Sequence, residues 1–378
     1  MTARPTLLIL SFSPIASDAR VLKQVRMLAQ DHDVTTCGYG PAVVLDDGRA
    51  VEHLRVDDEN EHWRKAPVPL LARQYRRVYW GNAAVAQARD LLAGRTFDIV
   101  LADDVDAVPL ALSMEPRWGV HADLHEYSPR QNDELRRWRW FVAPYMRWLC
   151  RHFVTRCASV TTVAQGIADE YERRFGFRAG VVTNASPYQD LAPGPAGSPV
   201  RLVHSGVALR NRSLEILVDA VAASTADVTL DLFLVPNDPG YLAELRARAA
   251  GEPRVRIHDP LPYAELVATL NRFDVGLHLL PPVSFNNANA LPNKIFDYVQ
   301  ARLGLIVGPS PEMARVVREH GVGAVTADFT PAALTSVLDT LTAEQVEAWK
   351  AASHASARVL SSESQVEIWR EAIEALHP

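Results

Sequence analysis

Three stretches hold residues whose types and spacing could do chemistry. In DLHEYSP an apolar run that reads as a buried strand ends in Asp123, His125 and Glu126. A histidine beside carboxylates can shuttle a proton or pair with a hydroxyl, although a satisfied loop histidine fits the same pattern. The run FDIVLADD ends in acidic residues too, Asp104 among them. In VHSGVALRNRSLEIL, Arg210 and Arg212 stand just ahead of a helix expected to start near Ser213, and two guanidiniums there would form a diphosphate clamp. The third stretch runs from Asn286 to Glu312, NNANALPNKIFDYVQARLGLIVGPSPE. It reads as a polar loop and then a helix, with Pro292 in its first turn. Ile295, Phe296, Val299 and Leu303 follow at helical spacing, and Gly304 is the expected stop. Asn293 and Asp297, at i and i+4, share one helix face, so an amide and a carboxylate could reach one ligand near the positive end of that helix.

Positioning these residues requires parallel sheets. TLLILS is a strand, FSPIASD a loop, and Asp18 can cap a helix whose apolar stripe is Val21, Leu22, Val25, Leu28 and Ala29. DVTTCGYG follows as the next strand, giving a right-handed βαβ start. The first turn has no glycine, which speaks against a dinucleotide fingerprint. Loops at the carboxyl ends of parallel strands still line a ligand crevice, so Asp18 and Arg20 are candidates, with a plain N-cap and a surface arginine as the alternative. A chain of 378 residues exceeds one ordinary core. Strand–helix alternation fills residues 1–184, ASPYQDLAPGPAGSP (185–199) reads as a linker, and the alternation restarts at RLVHSG to fill 200–360. A terminal amphipathic helix, 361–378, is suited to pack back on the first domain.

Composition narrows the function classes. With 48% hydrophobic and 22% charged residues the chain is globular. A net charge of −6 argues against general nucleic-acid binding. Cys37, Cys150 and Cys157 match no metal or redox spacing and read as reduced thiols of a cytoplasmic protein. The opening MTARPTLLILSFSP is too short in its apolar run for a signal peptide, and no window approaches ~18 apolar residues. Two segments, 63–80 and 135–156, interleave arginines with Trp, Tyr and Phe. That pattern fits a helix on an anionic membrane surface, at the inner face, or one gripping a lipid-linked acceptor. It equally fits an amphipathic packing helix with arginines in solvent; single-stranded nucleic acid fits poorly with the acidic whole.

Several of these stretches resemble the nucleotide-sugar-dependent glycosyltransferases of family 4, the group called glycosyltransferase group 1. SDARVLKQVRMLAQDHDVTTCGYG is similar to the family's opening strand and helix, with Ala19 where a proline is usual. DLHEYSP resembles its D-x-H-E turn, which maps to His125. VHSGVALRNRSLEILVDA resembles its phosphate segment: Arg212 takes the usual lysine position and Val207 the usual arginine position. ALPNKIFDYVQARLGLIV resembles its donor motif. The family's paired acidic residues map to Asn289 and Asp297, so the first carboxylate is an amide here.

The resemblance implies a GT-B fold, two Rossmann-like αβα domains facing each other across a cleft. It implies a hexosyltransferase-like enzyme that moves a sugar from a nucleotide-sugar to a glycan, lipid-linked or small-molecule acceptor, with retention of configuration. His125 and Asn289 would serve at the reacting sugar. Gly206, Arg210, Arg212, Leu291, Pro292, Asn293, Lys294 and Asp297 would hold the donor, with Asp297 on the ribose. Asp18, Arg20, Asp104 and Glu126 would lie on the acceptor side. No metal and no separate cofactor are implied; the nucleotide-sugar is a co-substrate, a UDP-sugar by default. A nucleotide-sugar epimerase or hydrolase, or a non-catalytic relative, could use the same two domains.

Overall fold

The computed structural model describes residues 4–378. Two parallel sheets organise them, as the strand–helix alternation leads one to expect. The first has seven strands: β1 (Thr6–Pro14), β2 (Asp33–Tyr39), β3 (Glu52–Arg55), β4 (Ile99–Asp103), β5 (Gly119–Leu124), β6 (Ser159–Thr162) and β7 (Gly180–Val181). Their order is β3-β2-β1-β4-β5-β6-β7. The second has six: β8 (Val200–Val207), β9 (Val228–Val235), β10 (Val255–His258), β11 (Val275–His278), β12 (Gly304–Val307) and β13 (Gly323–Val325), in the order β10-β9-β8-β11-β12-β13. In each sheet the strand order reverses once, between β1 and β4 and between β8 and β11. A doubly wound sheet offers its ligand crevice at such a point, beyond the carboxyl ends of those strands.

The chain divides into two compact units. The first joins Met1–Val182, Ser284–Asn286 and Val366–Pro378; the second joins Thr183–Val283 and Asn287–Gln365. Helices cover both sheet faces, so a central strand such as β1 carries apolar side chains on both. In β1, Leu8 and Leu10 enter one core while Leu7 and Ile9 enter the other, as period-two side-chain alternation requires. The second core also takes Val21 and Val25 of the helix Ala19–Leu28, and Trp369 and Ile373 of the terminal helix Ser362–Glu374. Trp369 lies under the Arg20 guanidinium, 4.6 Å from the ring centroid.

Residues 185–199, expected to be a linker, form no helix or strand, yet are pinned along the second unit. Arg302 donates to the carbonyls of Gln189 and Leu191 at 2.5 and 3.1 Å, and Asn271 to that of Ala192 at 3.1 Å. The same arginine corrects the expected helix end. The helix spans Asn293–Gln300, and Arg302 leaves it with φ +61°. The Arg302 guanidinium then caps the carbonyls of Val299 and Gln300. A side chain here does what Gly304 was expected to do, and Gly304 instead opens β12. Pro292 is the extended N-cap, one residue before the first helical turn.

Trp369 is 1% exposed. Trp369→Ala should therefore destabilise the first unit by about 3–5 kcal/mol in a denaturant titration. A loss below about 1 kcal/mol would show that the terminal helix is not part of its core.

Candidate active-site clusters

In the first unit, β4 and β5 end side by side, with Asp103 in register with Asp123. Asp123 is fully buried and accepts four hydrogen bonds. Arg20 Nε and Nη2 donate at 2.7 Å each, Gln24 Nε2 at 2.6 Å and Thr161 Oγ1 at 2.7 Å. Burial would raise its carboxyl, but the Arg20 charge and these bonds hold it far below the usual range. Arg20 is thus a buried strut that fixes Asp123, and not a surface arginine. Asp18 caps the helix through the amides of Arg20 and Val21.

His125 Nε2 lies 3.3 Å from Asp103 Oδ1 and 3.8 Å from Asp123 Oδ2, with about a quarter of its side chain exposed. Burial alone would lower its pKa. The bond to Asp103 and the charges of Asp123 and Asp103 outweigh it and raise the imidazole to about 9. At neutral pH His125 is therefore an imidazolium, a donor and a positive charge, and not a base ready to take a proton. Asp103 is pushed up to about 6 by burial, eased by His125.

Glu126 is raised to about 7, by burial and then by Asp104, and accepts from Asn286 Nδ2 at 2.9 Å. Asn286 also accepts from Tyr127 N. The stretch that opens at Asn286 thus begins in the first unit and continues in the second. Asp104 sits at φ +64°, and its carboxyl is raised by burial.

Asp103, Asp123 and His125 place ligand atoms within 4.8 Å of one another, the one such trio among the described residues. A carboxylate has about four lone-pair directions. All four on Asp123 are occupied by donors, so it has none to give a metal and the trio offers only two ligands. Burial lifts the thiols of Cys37 and Cys157 to about 12 and that of Cys150 higher still, leaving no ready nucleophile among them.

In the second unit the carboxyl ends of β8 and β11 carry His204 and His278, whose rings stack at 5.7 Å. The Tyr298 hydroxyl ties the two strand ends, accepting from Ser205 N at 3.3 Å and donating to Leu277 O at 3.4 Å. His204 Nδ1 is 2.8 Å from the Leu277 carbonyl, so it carries the proton and Nε2 carries the lone pair. His278 is 4% exposed, and neither ring nitrogen has a partner. Lys294, from the first turn of Asn293–Gln300, reaches Gly206 so closely that a Cβ there would stand 2.5 Å from its Nζ. Only glycine fits.

Arg212 and Lys294 share this space, each acting electrostatically on both histidines. Burial, then Arg212, lowers Lys294 to about 8, partly offset by Asp297. Burial lowers Arg212 as well. His204 falls to about 3 through burial and then Lys294; His278 falls well below its ordinary value for the same reasons. Neither cation has a carboxylate within salt-bridge distance in the described structure. Such a nest costs free energy when empty and suits an anion.

The remaining expected residues divide. Asp297 is 5% exposed and accepts from Ser186 Oγ. Asn289 lies, half-buried, between the short helix Phe285–Ala288 and Pro292. Asn293 is exposed. The Leu291 side chain packs into the core with Ile295, Phe296 and Val299. Arg210 is a correction: it leaves the nest to grip Glu244 with both terminal nitrogens at 2.8 and 2.5 Å. A 3-10 turn, Arg210–Arg212, points the two guanidiniums apart, and the helix begins at Glu215. His204, His278 and Ser186 were not singled out in sequence. The signal for the two histidines was a histidine near the end of a buried strand, legible only once β8 and β11 are known to be neighbours.

No protein-family model matches the chain, and no protein of curated function matches it in sequence. Solved structures do match it end to end. HepE of Anabaena, in complex with UDP-glucose, has 14% identity and TM-score 0.69, over 98% of this chain and 100% of that one. Trehalose 6-phosphate synthase of Burkholderia multivorans has 13% identity and TM-score 0.69, over 99% of each chain. Sucrose-phosphate synthase of Thermosynechococcus elongatus has 11% identity and TM-score 0.72, over 98% and 100%. The chain therefore has the two-domain α/β fold of GT-B glycosyltransferases.

The His125 imidazole should titrate near 9 by NMR. Its folded pKa lies above the ordinary value of about 6.5, so its stabilising contribution is complete below pH ~6.5 and is lost as pH rises through about 9. Asp103→Asn should bring the midpoint down by at least ~1 unit. A wild-type midpoint near 6.5 would refute the assigned pairing.

Proposed function

We propose that the chain is a glycosyltransferase that moves a sugar from a nucleotide-sugar to an acceptor hydroxyl, retaining anomeric configuration, in the manner of family 4. The observation that carries this is the unpaired cationic nest of Lys294 and Arg212 at the reversal of the second sheet. Its support is the fold shared with HepE and the sugar-phosphate synthases.

The second unit holds the donor. Lys294, Arg212 and the backbone near Ser205–Val207 grip the diphosphate, and His278 gives it a further buried partner. Asp297, oriented by Ser186, takes the ribose hydroxyls, and Asn289 the sugar. Uridine is the base of choice, by the resemblance and because HepE is seen with UDP-glucose.

In the reaction the bond from the anomeric carbon to the β-phosphate oxygen breaks, and its electron pair goes to that oxygen. The acceptor oxygen bonds to the carbon on the same face, and its proton passes to the departing phosphate oxygen. Fixed cations stabilise the charge that develops on the diphosphate, so side chains supply what a metal would otherwise provide. The first unit binds the acceptor. His125, as an imidazolium, donates to a sugar hydroxyl, while Glu126 and Asp104 accept from acceptor hydroxyls.

Assay with a UDP-sugar panel and sugar acceptors should give transfer, with donor alone turned over much more slowly. Fast isomerisation or hydrolysis of donor alone would point to an epimerase or hydrolase; binding without any turnover would point to a non-catalytic relative. Lys294→Met and Arg212→Ala should each lower kcat/KM by roughly 100–1000-fold. Lys294 ionises near 8, so donor affinity should fall above that pH by up to about tenfold per unit, a slope absent in Lys294→Met. Unchanged kcat/KM in both variants defeats the assignment.

A further inference from the structure

The first unit carries a second surface of unusual chemistry. Stretches 63–80 and 135–156 together hold eleven Lys and Arg and no acidic residue, so the rest of the chain stands at −17 against a net of −6. Both contribute to one face. A depression of about 820 Å³ is lined by Arg73, Arg136, Arg137, Arg139, Trp140 and Arg147. A neighbouring one of about 500 Å³ is lined by Trp63, Leu71, Leu135 and others. The two share Arg137 and Phe141, which makes them continuous.

Two properties set this face apart. The five arginines of the larger depression have no carboxylate within salt-bridge distance in the described structure, whereas beside the smaller one Arg64 pairs with Glu61 and Lys65 with Asp106. Large apolar side chains stand out on it: Trp140 is 72% exposed and Trp63 61%, and Val68, next to the lining residue Pro67, is 74% exposed. The π-helical turn Trp138–Val142 buries none of its residues, although the helix Ala143–His152 that follows buries five. The turn thus presents Trp140 and Phe141 outward at the cost of a regular helix. Among the described residues no helix is long and apolar enough to cross a membrane.

We propose that this face docks on an anionic lipid bilayer, with Trp63, Val68, Leu71, Leu135, Trp140 and Phe141 entering the headgroup boundary and the arginines on lipid phosphates. Arginine beside exposed tryptophan matches the chemistry of that interface, where rings sit at headgroup level and guanidiniums bind phosphate bidentately. A second copy is a poor occupant, because two-fold pairing would set the same arginines against each other. Nucleic acid would use the arginines and rings but leave Val68, Leu71 and Leu135 without partners. The proposal stands on this face alone and is independent of the glycosyl-transfer reading.

The test is cosedimentation of the full chain with vesicles of phosphatidylglycerol and phosphatidylcholine in equal parts. Binding and a blue shift of tryptophan emission are expected with these vesicles but not with pure phosphatidylcholine. Binding should be lost in about 1 M salt, where the screening length falls to about 3 Å. Replacing Arg136, Arg137 and Arg139 together by Gln should weaken partition roughly 100-fold. Trp140→Ser should weaken it separately. These side chains are exposed, so each variant should keep the wild-type unfolding midpoint. No cosedimentation at low salt, equal binding to neutral vesicles, an unaffected triple variant, or tighter binding to a single-stranded oligonucleotide would overturn the proposal.

Discussion

In the second unit an ammonium and a guanidinium are drawn partly out of water into one space, beside two imidazoles that must stay neutral. Like charges so placed repel, and burial removes the solvent that would screen them. The arrangement persists because the fold fixes its parts independently. Tyr298 ties the ends of β8 and β11, Gly206 leaves room for the Lys294 ammonium, and the core contacts of Leu291, Ile295 and Phe296 hold the helix that carries Lys294. The result is a concentration of buried positive charge.

The first unit solves the opposite problem. Its strand ends gather Asp103, Asp104, Asp123 and Glu126, and one of these charges is neutralised permanently. Arg20 spans the sheet to Asp123, and Trp369 of the terminal helix lies against its guanidinium. Breaking such a buried pair is costly, about 3–5 kcal/mol, so the pair anchors the site rather than serving it. What remains is a histidine raised by its carboxylate neighbours, among carboxyls that burial shifts upward, a surface of hydrogen-bond donors and acceptors.

Strand–helix alternation made the two parallel α/β domains legible, because buried parallel strands must be apolar on both faces. The segment ALPNKIFDYV located Lys294 and Asp297 on one helix. It could not show that Leu291 turns inward, since core and ligand faces alternate within a single turn there. Which arginines have counter-charges was also hidden. Arg20 meets an aspartate 103 residues away and Arg210 a glutamate 34 away, separations that no local pattern encodes. His204 and His278 come together only through the pairing of β8 with β11. The helix end at Arg302 escaped for another reason: a left-handed arginine, stabilised by its own bonds to carbonyls, did what glycine usually does.

The central claim is that the Lys294–Arg212 nest is a diphosphate site, and calorimetric titration with uridine, UMP and UDP tests it most directly. Each added phosphate should tighten binding by about tenfold or more, since charge-assisted hydrogen bonds contribute about 1.5–3 kcal/mol. Uridine binding as tightly as UDP would contradict the account.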